Sequence, residues 1–324
     1  MNDYTSNINA SIEDEIFHEI NAIIKNGTFL ENNLVKKEDY FFNNFLTELK
    51  SFLDQDSFIY VCLAIKKYNH VLDELRLNNF SSADSYLCDM GKIVSDDYHI
   101  PNLIITTMAN NVLAYKAYKY GDREEAFKLL LNSLEIDSLL EKQGFSLLHF
   151  HKIQTLHNIA RTYLKQNLTS GIHLSLELMK YLSAKSGDFR LGKFIFPQKK
   201  NALSPKLCRE LFLQILNDLI FHFINHHDEN DIYYLEIFRK NLDTIEQKEN
   251  YILFIEEWLE TVLDLNKNTG TDSINSVILF LNCYGDKLAC LSIFLIKKLL
   301  LIHSFKKEQI QKMRSDMSIY GFSI

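Results

Sequence analysis

A chain of 324 residues, 47% hydrophobic and 24% charged, can form one extended repeat array or two to three compact domains with a sizeable core. A formal charge of −7 disfavours whole-surface attraction to nucleic acid, so no direct nucleic-acid partner is expected. Three prolines and ten glycines are too few for a sheet protein rich in turns, and long helices are expected instead.

The five cysteines, Cys62, Cys88, Cys208, Cys283 and Cys290, form no C-x-x-C pair. Reduced, mostly buried thiols are expected rather than disulfides or a zinc site. The polar, acidic start MNDYTSNINASIEDEIF lacks the pattern of a signal peptide. The most apolar stretch, Leu288 to Ile302, is short and interrupted by Lys297 and Lys298, so no membrane insertion and a cytoplasmic location are expected.

Taken in chain order, residues 1–56 predict an N-terminal helical pair. Ser11-Ile-Glu-Asp14 resembles a capping box opening a helix that carries Ile12, Ile16, Ile20 and Ile23 and stops near Asn26-Gly27. A second helix, Lys36 to Leu53, sets Phe41, Phe42, Phe45, Leu49 and Phe52 on one face. No DNA-binding helix-turn-helix signature accompanies them.

Residues 57–186 predict an array of helical hairpins centred on NNVLAYKAYKYGDREEAFKLLLNSLEID, Asn110 to Asp137. Leu113, Ala114 and Ala117 mark one stripe at helical spacing, and Ala126, Leu130 and Ser133 mark the facing one. Gly121-Asp122 between them supplies a turn and a helix cap. Ala83, Leu87 and Met90 stand 43 residues before the second stripe, and Val71, Leu72 and Leu75 stand 42 before the first. Ile159, Ala160 and Tyr163, with Ile172, Leu176 and Met179, repeat both stripes 46 residues on.

This small-residue seam, with its Gly-Asp turn, Glu-Ala and acidic-apolar-acidic ending, resembles the tetratricopeptide repeat, degenerate and longer than the usual 34 residues. The resemblance implies an all-α, right-handed superhelical solenoid of antiparallel helix pairs, about 14 helices in all.

Residues 187–205, GDFRLGKFIFPQKKNALSP, are expected to be a long loop or a boundary. Helices near Ser204–His226, Glu229–Ile245, Glu249–Leu265, Asp272–Cys283, Asp286–His303 and Lys306–Met317 follow, making 206–324 a set of C-terminal hairpins with a cap.

In such an array the first helix of each pair lines a concave side. Asn111, Tyr115 and Lys119 are expected to face the groove, with His157, Arg161 and Lys165 at the 46-residue offset and Asn69 and Asp73 at the 42-residue offset. Three cations beside amide and aromatic groups suit an extended acidic peptide or a chain-terminal carboxylate; the competing reading is an ordinary solvated helix face. The tetratricopeptide clamp for chaperone tails is not matched, because Asn111 stands where it has a lysine and Tyr115 where it has an asparagine.

The functional expectation is thus a non-enzymatic protein- or peptide-binding protein without a cofactor, with a homodimer left open. An alternative is a peptide-responsive regulator acting on a partner protein, since the Asn- and Tyr-lined helices also resemble the peptide-sensing repeats of bacterial quorum-sensing regulators.

A second alternative is a metal-dependent enzyme. His222 and His226, at i and i+4, could hold a metal, although imidazolium near a helix C-terminus explains them as well. His149 and His151 have no Cys or carboxylate at ligand spacing in sequence, and no phosphate loop or nucleophile elbow is present. The basic run Lys297, Lys298, Lys306, Lys307, Lys312 and Arg314 is expected to be solvated helix ends, and Tyr233, Tyr234, Phe221, Phe223 and Trp258 are expected in the core.

Overall fold

Helices account for nearly all of the regular structure. The computed structural model describes residues 17–18, 20–22, 40–89, 100–183, 188–197, 204–225, 231–245, 248–268, 271–285, 289–302 and 307–318. Most of the first expected helix, and with it Ile12 and Ile16, lies outside them. The chain divides into two compact units, Glu38–Ile215 and a second formed by Met1–Lys37 with Leu216–Ile324.

The unit Glu38–Ile215 begins with α1 (Tyr40–Phe52), α2 (Gln55–Arg76), α3 (Phe80–Asp89), α4 (Ile100–Tyr120), α5 (Arg123–Lys142), α6 (Leu148–Gln166) and α7 (Leu168–Ser183). Side-chain caps start several of them. Asp54 accepts from Ser57 N at 2.9 Å before α2, and Asn167 accepts from Ser170 N at 3.1 Å in the first turn of α7. At the turn after α2, Asn78 takes φ 60°, a left-handed conformation that asparagine tolerates better than most residues.

Consecutive helices pack on one another from α4 to α7, and α2 packs on both α3 and α4. The stripes expected to form seams are largely buried. Ala114, Ala126, Leu130, Ile159, Ala160, Ile172 and Leu176 are each no more than 2% exposed, whereas Leu113 and Ala117 are half-buried. Between α6 and α7 the approach is closest: a Cβ on Gly171 would lie 2.5 Å from the backbone N of Leu164, so only glycine fits.

α1 departs from a simple stack. Phe41 packs on Phe150 and His151, with ring centroids at 5.1 and 6.2 Å, and Phe52 packs on Phe145 at 4.6 Å. The start of α6 has no side-chain cap of its own. Glu48 of α1 supplies one, Oε1 accepting from Ser146 N at 2.8 Å, Ser146 Oγ at 2.7 Å and Leu147 N at 3.2 Å.

Within 187–205, expected as loop, two short strands pair antiparallel: β1 (Phe189–Leu191) and β2 (Phe194–Phe196), with Phe189 opposite Phe196. Gly192, first of the two loop residues, takes φ 54°, the sign a tight hairpin loop requires. Phe189 and Phe196 point to one side, both buried, and their rings pack at 5.5 Å.

The unit boundary falls not in this segment but within the next helix, α8 (Pro205–Asn225). In the other unit, α9 (Asp231–Asp243), α11 (Thr271–Tyr284) and α12 (Ala289–Ile302) pack on α10 (Asn250–Lys267), and α13 (Lys307–Ser318) follows. Trp258 is fully buried there, its Nε1 donating to Leu291 O at 3.0 Å and its ring edge-on to Phe294 at 5.5 Å. Phe223 and Tyr234 are also core, but Tyr233 is 56% exposed.

Two of the basic residues expected in solvent, Lys297 and Lys298, are half-buried; the first donates to Ile224 O and the second pairs with buried Asp231 at 3.3 Å. Of the five cysteines, none in a disulfide, only Cys290 is buried, contrary to expectation; Cys88 and Cys283 are exposed. No helix among the described residues is long and apolar enough to cross a membrane.

Candidate functional site

The tight turn at Gly121, with φ 85°, and the cap that Asp122 offers to Glu125 N at 3.0 Å bring α5 back onto α4. Small side chains line the shared face, and where they end three polar groups meet. Thr107 Oγ1 donates to Asp137 Oδ1 at 2.7 Å and lies 2.7 Å from Ser133 Oγ. From α6, His151 Nδ1 donates to Asp137 Oδ2 at 2.8 Å.

Asn111 continues the chain. Its Nδ2 donates to Ser133 Oγ at 2.9 Å and Thr155 Oγ1 at 3.2 Å, and lies 3.4 Å from His151 Nε2. Asn158 Nδ2 donates to Asn111 Oδ1 at 3.0 Å, and the Arg161 guanidinium donates to Asn158 Oδ1 at 3.1 Å. A polar spine therefore runs from fully buried Asp137 to exposed Arg161. Its acid, imidazole and hydroxyls are the residue types of nucleophilic catalysis, but Thr107, Ser133, Asp137 and Thr155 are 0% exposed and no substrate reaches them. The spine joins helices.

One turn further along α5, Glu141 faces a second buried group. His149 Nδ1 lies 3.2 Å from Glu141 Oε1, Lys152 Nζ pairs with Glu141 Oε2 at 2.5 Å, and His149 Nε2 lies 2.8 Å from the Tyr181 hydroxyl. Tyr181 donates to Pro197 O at 3.2 Å, and Lys152 sits over the Phe196 ring at 5.0 Å, so this cluster seats the β-hairpin. Burial is the main cause that raises the Tyr181 hydroxyl pKa above its ordinary value. His149 and His151 thus do face carboxylates, Glu141 and Asp137, which lie outside the local sequence window of each histidine.

The expected groove residues fall into different surroundings. Asn111 is taken up in the spine and His157 is buried at 3% exposure. Lys119 lies 5.7 Å from the centre of the Tyr115 ring and donates to Asn78 Oδ1 at 2.9 Å, bridging α4 to the turn after α2. Asn69, Asp73, Arg161 and Lys165 are exposed. Asn111 and Arg161 are thus joined through Asn158, while Tyr115 and Lys119 form a separate contact.

Residues that the sequence did not bring together, among them Tyr163 of an expected seam stripe, define an open groove of about 770 Å³ on the outer face of α5 beside the end of α6. Phe127, Leu131 and Tyr163 form its apolar floor, with Phe127 and Tyr163 edge-to-face at 5.2 Å. Arg123, Glu124, Lys128 and Glu135 form the rim, and Lys193 from the β-hairpin pairs with Glu135. The signal that could have found it is the line Phe127, Leu131 and Glu135, spaced by four on the side of α5 away from the seam.

His222 is half-buried on α8, and its expected companion His226 lies outside the described residues. Among the described residues no group of three or more His, Cys, Asp or Glu side chains is placed to hold a metal ion. No family model matches the chain, nor does any curated protein or solved structure.

Proposed function

We propose that the protein is a non-enzymatic binder of an extended peptide segment, seated in the groove between α5 and α6. The observation that carries this reading is the pairing of a half-buried apolar floor, Phe127, Leu131 and Tyr163, with a charged rim in a groove open to solvent. An apolar anchor from the peptide would cover the floor, and acidic groups beside it would meet Arg123 and Lys128 at one end.

The concave line first expected from the sequence offers less: His157 is buried, Asn111 is half-buried and tied to Ser133, and Lys119 is already engaged. A peptide array probed with the full chain tests the assignment. Bound peptides should share an anchor with flanking Asp or Glu, and Leu131→Asp with Lys128→Glu should abolish capture without changing helical content. Capture lost instead in Arg161→Ala with Lys165→Ala, on the other side of α6, would move the site back to the concave line, and an array with no bound peptide would remove the proposal.

A further inference from the structure

α2 has two faces of contrasting surroundings. Val61, Ala64, Ile65, Tyr68, Val71 and Leu75 are buried. On the other side Ile59, Tyr60 and Leu63 are 45%, 42% and 56% exposed, three large apolar side chains within little more than one turn.

Charge is ordered around them. Asp56 precedes the apolar group by one turn, Lys66 and Lys67 follow it by one turn, and all three are exposed. At 100° per residue, Asp56, Ile59, Leu63, Lys66 and Lys67 fall within an arc of about 100°. Among the described residues Asp56, Lys66 and Lys67 make no ion pair. The sequence of acidic, apolar and basic along this face is its own complement when the helix is reversed.

We infer that this face is a homodimer interface, on which a second copy of the chain lays its own α2 antiparallel. A two-fold axis between Ile59 and Leu63 sets Ile59 of each copy against Leu63 of the other and Asp56 opposite Lys66 and Lys67. The second copy supplies the apolar cover and the opposite charges together, which an arbitrary apolar partner would not.

Sedimentation velocity of the full chain between about 1 and 100 µM tests it. The expected result is a monomer–dimer equilibrium. Leu63→Glu should weaken the dimer at least about tenfold while circular dichroism, and melting at concentrations where the chain is monomeric, stay unchanged, because the side chain it replaces is more than half exposed. Asp56→Lys should weaken it too, and adding Lys66→Glu and Lys67→Glu in the same chain should restore it. A monomer throughout, a dimer indifferent to Leu63→Glu, or a charge swap that fails to restore association would each overturn the inference.

Discussion

Replacing Asp137 by alanine should destabilise the unit Glu38–Ile215 more than any conservative change around it. The carboxylate is fully buried and accepts from Thr107 and His151 at 2.7 and 2.8 Å. A hydrogen bond to a charged acceptor is worth about 1.5–3 kcal/mol, so the two together set an upper limit near 6 kcal/mol. Thr107 keeps Ser133 as a partner, which removes most of its share, while His151 Nδ1 is left buried without an acceptor. The net loss should therefore be about 3 kcal/mol, and roughly 6–12 °C in melting temperature for a unit of this size.

Asparagine at 137 can turn its oxygen to His151 and its amide to Thr107, whose hydroxyl then donates to Ser133. That variant should lose only about 1 kcal/mol. Urea unfolding followed by circular dichroism, with amide hydrogen exchange across α4 to α6, measures both. An alanine variant within about 0.5 kcal/mol of the parent, or an asparagine variant as damaged as the alanine one, would refute the spine as a source of stability.

Three further outcomes are expected. Gly171→Ala should destabilise by about 1–3 kcal/mol despite alanine's better helix propensity, because the new methyl meets the Leu164 backbone; a more stable variant in thermal melting would show that α7 can move away. Glu48→Ala should cost about 1–2 kcal/mol and raise amide exchange at Ser146 and Leu147, and unchanged exchange there would disprove the cap. Burial pushes the Cys290 thiol up to about 12, so thiolate is scarce across the pH range of thiol reagents; Cys88 and Cys283 should label in the native protein, and Cys290 should label only on unfolding, as peptide mapping would report.

Helices were most readable where they carry a buried stripe at helical period. Ala126, Leu130 and Ser133 on α5 and Ile172, Leu176 and Met179 on α7 are all buried, so local spacing sufficed to place those faces. The hairpin at 189–196 was not readable, because three-residue strands give no sustained alternation and Gly192 with Pro197 suggested loop. The polar spine was hidden for another reason. Asp137 and His151 look like surface residues one by one, and only the contact they make with each other and with Thr107, across three helices, makes their burial tolerable. Asn111 illustrates the limit: its position on α4 predicts a groove-facing side chain, yet the α6 hydroxyl and amide that claim it lie more than forty residues away.

The reach of Glu48 from α1 to the opening turn of α6 bears on how the protein comes apart. Where hairpins touch only their immediate neighbours, ends fray one unit at a time and shortened versions survive. Here the first helix holds the fifth one after it, so a fragment beginning beyond Leu53 would expose Phe145 and Phe150 and uncap α6 in one stroke. Melting of this unit should accordingly be all-or-none rather than stepwise, and deletion from the N-terminal side should be tolerated far less well than its distance in sequence suggests.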